Sequence, residues 1–136
     1  MNKPRLLRLV QLLRAPLPDE LSGFSMSFFR TNVDLNDFGA DNAVWRPGFN
    51  CGTVCCALGL AALDPEFQTA GLHLSGGNVY FENSNSYDAG AEFFEIPIDH
   101  AERIFYPDDD LYGPRPHRPE TVADVIERYV ETGVLP

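Results

Sequence analysis

Asn50-Cys51-Gly52-Thr53-Val54-Cys55-Cys56-Ala57-Leu58-Gly59-Leu60-Ala61-Ala62-Leu63 holds all three cysteines of this 136-residue chain and its densest run of small apolar residues. The spacing predicts a central buried helix that starts at Asn50 or Cys51 and runs to Leu63. Asn50 is a suitable N-cap, and Asp64-Pro65 ends the helix because the residue before proline avoids helical backbone angles. With Cys51 in the first turn, its thiol would feel the unpaired N–H groups and the positive end of the helix dipole, which favour a thiolate. Buried cysteine is also a common core residue, so the stretch fits reactive chemistry and plain packing alike.

Outward from this stretch the chain reads as short elements. Pro4 to Arg14 is an amphipathic helix within an N-terminal segment 1–16, with Leu6, Leu9, Val10 and Leu13 on one face, expected to dock on the protein's own core. Leu17 to Asn36 reads as irregular structure or a short helix with its aromatics buried. Phe38 to Asn50 reads as a loop, with Trp45 covering the cysteine helix. Pro65 to Gln68 starts a short turn closed by Gly71. Leu72-His73-Leu74 and Val79-Tyr80-Phe81-Glu82, joined through Gly76-Gly77, read as a β-hairpin. Tyr87 to Glu95 and Ile98 to Phe105 read as helices, the first with Ala89, Phe93 and Phe94 inward, the second with Ile98, Ala101, Ile104 and Phe105 inward. Asp108-Asp109-Asp110 reads as a solvated loop, and it lacks the ligand order of a calcium loop. His117 reads as surface loop. Pro119 to Thr132, within a C-terminal segment 117–136, is the last helix: Pro119 opens it, Gly133 ends it, and Val122, Val125, Ile126 and Tyr129 form its stripe. The expected fold is α+β, a mainly helical single domain over 1–136, with one β-hairpin near a cysteine-bearing helix.

Twenty acidic residues against ten basic ones give a formal net charge of −10. Nucleic-acid binding through a basic surface is not expected, because such binding rests on Lys and Arg neutralising phosphates. Lys3, Arg5, Arg8 and Arg14 gather in the first helix, whereas nine of the twenty acidic residues fall in 82–110. That asymmetry suits electrostatic steering of a protein partner. No apolar run is long enough to span a bilayer, and residues 1–16 do not resemble a secretory signal. Three clustered cysteines do not form an extracellular disulfide framework, so the expected compartment is the reducing cytoplasm.

A cysteine followed by glycine at the head of an apolar helix resembles the nucleophile helix of papain-type cysteine hydrolases. The resemblance implies Cys51 as nucleophile. His73 would be the base, with His100, beside Asp99, as second choice, and Asn83 or Asp99 could orient the imidazole. A weaker metal alternative joins Cys51, Cys55 and His73. A closed zinc site would need two histidines from His73, His100 and His117. A Cys51–Cys55 or Cys51–Cys56 disulfide could form at a frayed helix start but would be strained within a regular helix. No phosphate-binding glycine loop, G-x-S-x-G or H-E-x-x-H occurs, and no cofactor is expected.

Residues 50–107 also resemble a group of small uncharacterised bacterial and phage proteins with a C-G-T-x-x-C-x-x-G-x-A pattern and a Pro-Phe turn. Cys51-Gly52-Thr53, Cys56 and Gly59 carry that pattern, followed by Asp64-Pro65-Glu66-Phe67 and Gly71-Leu72. Phe93-Phe94 and Ala101-Glu102-Arg103-Ile104-Phe105-Tyr106-Pro107 resemble the group's second motif. In this pattern the paired cysteines are Cys51 and Cys56, and no activity is implied. Two functions follow as expectations. The first is a small acidic cytoplasmic protein, phage-related by that resemblance, that binds another protein without catalysis. The second is a cysteine-dependent hydrolase or acyltransferase using Cys51 and His73.

Overall fold

A computed structural model describes residues 1–33, 42–49 and 52–136. The architecture is α+β: seven helices and two small sheets among the described residues. The helices are α1 (Lys3–Arg14), α2 (Ala57–Ala62), α3 (Pro65–Thr69), α4 (Ser86–Phe94), α5 (Ile98–Ile104), α6 (Asp109–Tyr112) and α7 (Pro119–Thr132). Strands β1 (Gly23–Phe24), β2 (Arg30–Val33), β3 (Val44–Trp45) and β4 (Gly52–Cys55) form one sheet in the order β2-β4-β1-β3. Strands β5 (His73–Ser75), β6 (Asn78–Phe81) and β7 (Ser84–Asn85) form the other in sequence order.

The quoted stretch is not one helix. Residues 52–55 are strand, Cys56 is the N-cap of α2 with extended backbone, and the helix proper covers only Ala57–Ala62. Thr53 and Val54 explain the difference: β-branched side chains suit a pleated surface. β4 has a partner on each side, antiparallel β2 (Arg30↔Cys55 to Val33↔Gly52) and parallel β1 (Gly23↔Val54, Phe24↔Cys55). Asn50 and Cys51 lie outside the described residues, so the N-cap expected at Asn50 falls there too. Every residue of α2 is buried, as an all-apolar helix requires. Gly59 makes this possible, because a Cβ there would collide with the Phe29 carbonyl oxygen.

Leu17–Asn36, where described, is mostly irregular, as expected, and not helical; it also supplies the two short strands β1 and β2. Leu21, Phe24 and Met26 are buried, but Phe28 and Phe29 only partly so. Trp45 does not cover a cysteine helix. It sits in edge strand β3 opposite Gly23 and packs on the small cluster of Val33, Ala43 and Val54. Residues 38–41 of the expected loop lie outside the described residues.

α1 docks on the protein's own core through Leu6, Leu9, Val10 and Leu13, with α7 as its principal neighbour. α7 spans the predicted residues and ends at Gly133 with φ of 73°, the left-handed value that favours glycine. The hairpin forms as predicted, with φ of 58° at Gly76 and 79° at Gly77, both in the region a tight primed turn demands. The Pro65 turn also forms, as α3, capped by the Asp64 carboxylate on the Phe67 N–H. Burial of Phe93, Phe94, Phe105, Leu58 and Ile104 in the main cluster contributes about 1.5–3 kcal/mol for each side chain. Ile98, expected inward, is 41% exposed: it is the first residue of α5, and the buried stripe begins a turn later at Ala101 and Ile104. The Asp108–Asp110 segment is not a loop: Asp108 caps α6 by accepting from the N–H groups of Asp110 and Leu111.

Candidate functional site

Cys55 ends β4 and Cys56 caps α2, and both sulfurs are buried as free thiols. Burial pushes the Cys55 thiol well above its ordinary value. Cys56 stands where thiolates are activated in other proteins, and N–H groups of Gly59 and Leu58 do stabilise its anion. Desolvation outweighs them and the thiol is pushed up to about 11, as expected when the charged form must sit in apolar surroundings. These two cysteines are packing residues. Cys51, the expected nucleophile, lies outside the described residues.

The histidines serve other elements. His73 is exposed on β5, where its ring stacks on Tyr80 at 5.7 Å and Nδ1 lies 3.2 Å from the Gly71 carbonyl oxygen. His100 on α5 shares a 2.8 Å hydrogen bond between Nδ1 and the Tyr129 hydroxyl. His117 is not surface loop. It is 2% exposed, with Nε2 donating to the Gly113 carbonyl at 2.8 Å and 3.0 Å from Asp109 Oδ1. No group of three His, Cys, Asp or Glu among the described residues is placed to hold a metal ion. Cys55 and His73, two members of the weaker metal alternative, differ sharply in setting: one is sealed in the core, the other open to water.

The acidic residues separate into two populations. On the α1 side they are paired: Arg8 with Asp64 and Glu66, Arg14 with Asp124 and Glu127. The contacting helices α4 and α5 differ. Asp88, Glu92, Glu95, Asp99 and Glu102 are exposed there, and none of them has an ion-pair partner among the described residues. Glu95 accepts one hydrogen bond, from Asn2 Nδ2 at 2.8 Å. The single cation on these helices, Arg103, turns away to Asp108 and to the Pro136 carbonyl. Ile98, 41% exposed, and Tyr106, 52% exposed, stand four residues to either side of Glu102. Ile98 opens α5, and Tyr106 follows just beyond its C-terminal end. Two large apolar side chains thus sit among uncompensated carboxylates.

The concentration of acid at 82–110 was visible in the sequence, but the contrast between paired and unpaired carboxylates was not. It depends on where Arg8, Arg14 and Arg103 reach after folding. Asp64, buried and gripped by Arg8, also escaped notice; Asp before Pro was its only signal. No helix among the described residues is long and apolar enough to cross a membrane. A scan against family models and searches of curated proteins and of solved structures found no match to this chain.

Proposed function

We propose that this chain is a protein-binding factor whose α4–α5 face takes a basic, amphipathic segment of another protein. The observation that carries the reading is the set of exposed carboxylates with no ion-pair partner among the described residues, accompanied by exposed Ile98 and Tyr106. Unpaired like charges repel one another in the free protein, and a cationic partner relieves that repulsion. The two apolar side chains supply what charge alone does not, a short-range anchor that excludes water. The resemblance to small bacterial and phage proteins is compatible with such a role.

A synthetic helical peptide of lysine and leucine serves as the probe, with binding followed by calorimetry at low and high salt. The triple variant Glu92→Gln, Asp99→Asn, Glu102→Gln is expected to bind about tenfold more weakly. The triple variant Glu120→Gln, Asp124→Asn, Glu131→Gln, of the same net charge, is expected to bind as the parent does. Equal losses in both would mean attraction to net charge alone and would end this reading. The hydrolase reading at Cys51 and His73 has a separate test in iodoacetamide labelling from pH 5 to 9: only an activated Cys51 labels fast well below its ordinary thiol value.

A further inference from the structure

Arg30, Thr31, Asn32, Thr53 and Gly77 line an open cleft of about 290 Å³ between the β2–β4 ladder and the turn of the β5–β6 hairpin. Asn32 faces Thr53 across the ladder, and the Thr53 hydroxyl donates to Asn32 Oδ1 at 2.6 Å. That bond orients the amide and leaves both N–H groups of Nδ2 without a partner among the described residues. Among the described residues the Arg30 guanidinium forms no hydrogen bond, and its one ion-pair partner, Glu20, is 4.0 Å away. Gly77 closes the other wall. With φ of 79° it brings the hairpin turn down onto β2, close enough that a Cβ would stand 3.2 Å from the Arg30 carbonyl oxygen.

The cleft is therefore lined by donors with little to donate to: a guanidinium fork and an oriented amide, which share one face of β2 because side chains alternate along a strand. Such a set matches an oxyanion, which accepts two parallel bonds from arginine and further bonds from neutral donors. The volume is at the small end of the range for ligand sites. We propose that this cleft binds the oxyanion group, phosphate or carboxylate, of a small polar molecule. The site is independent of the α4–α5 face and stands whether or not that face binds a protein. Glu20 is its built-in competitor, since it offers Arg30 the same charge at longer range.

The test is an amide-resolved NMR titration of the full chain with inorganic phosphate and, separately, with acetate. Saturable shifts confined to Thr31, Asn32, Thr53 and Gly77 are expected with at least one anion; which one names the oxyanion. Arg30→Gln is expected to weaken binding about tenfold. Asn32→Asp keeps the bond from Thr53 and the side-chain shape but replaces the donor with a negative oxygen. It is expected to abolish binding in a folded protein. Glu20→Gln is expected to tighten it. Absence of saturable shifts with both anions overturns the proposal, and so does Asn32→Asp binding like the parent.

Discussion

Arg8 and Asp64 meet in a two-pronged ion pair, Nε at 2.7 Å from Oδ2 and one terminal guanidinium nitrogen at 2.8 Å from Oδ1. The same carboxylate accepts from the Phe67 N–H and so caps α3. One buried side chain thus joins α1 to the α2–α3 corner. Asp64→Ala removes both links and is expected to cost about 1–2 kcal/mol through the lost cap. Asp64→Asn, which keeps an acceptor for the cap, should cost less. Urea unfolding midpoints measure the difference.

Gly59 is the tightest point of the core. A methyl group there meets the Phe29 carbonyl and lies 2.9 Å from Cys55 Cβ. Backbone on one side and a buried strand on the other leave nowhere to yield. Gly59→Ala, ordinarily favourable in a helix, is expected here to destabilise by about 3 kcal/mol or more. Gly90→Ala meets only side-chain atoms, of Phe105 and Leu58, at 3.0 to 3.3 Å. It is expected to cost less, and thermal melts of the two variants measure the difference.

The thiols give the protein an alkaline limit. Cys56 is pushed up to about 11 from 9.0 and Tyr87 up to about 12 from 10.0, both chiefly by burial. The folded state keeps protons that the unfolded chain releases above those ordinary values. Stability from Cys56 is therefore present in full below pH 9 and is lost as pH rises through 11, by about 2–3 kcal/mol. Unfolding in reducing buffer between pH 8 and 11 should show the decline, and Cys56→Ala should flatten part of it. Neither Cys55 nor Cys56 should label with iodoacetamide until the protein unfolds.

At the acid end, hydrogen bonding to Arg14 holds Glu127 below the usual carboxylate range. Its contribution is present above the unfolded carboxylate value and is lost as pH falls through the lower folded one. Arg14→Gln should make the acid limb of the stability curve shallower without moving the alkaline limb. The pair is exposed, so the effect should also shrink at high salt.

Ile98→Ser separates binding from stability. The side chain is largely exposed, so unfolding should change by no more than about 0.5 kcal/mol. Binding of the lysine–leucine peptide should nevertheless weaken. If binding held unchanged, the apolar anchor would be ruled out and only the charge would remain.

Periodicity made α1, α7 and the glycine-turned hairpin legible, since each carries a long repeat or a turn with one backbone solution. It failed at Gly52–Leu63, where a short apolar run has the same appearance as strand or helix. The β-branched Thr53-Val54 pair was the available signal. Two-residue strands such as β1 and β3 leave almost no pattern, because their pairing is set by distant partners. Burial of His117 depends on Gly113 and Asp109, and no local rule announces it. Of the candidate site residues, His73 was placed on its strand correctly, yet its neighbours are Tyr80 and Gly71 rather than a thiol.

The packing of α1 on α7 has a consequence for the order in which this protein can be made. When α1 leaves the ribosome its leucine stripe has no cover, and α7, which supplies most of that cover beside α2 and α4, follows only after residues 15–118 have been added. β1 waits in the same way for β3 and β4. The growing chain therefore carries exposed leucines through most of its synthesis and closes its core late. A holdase that shields nascent apolar segments would raise the yield of this protein more than one that acts after release.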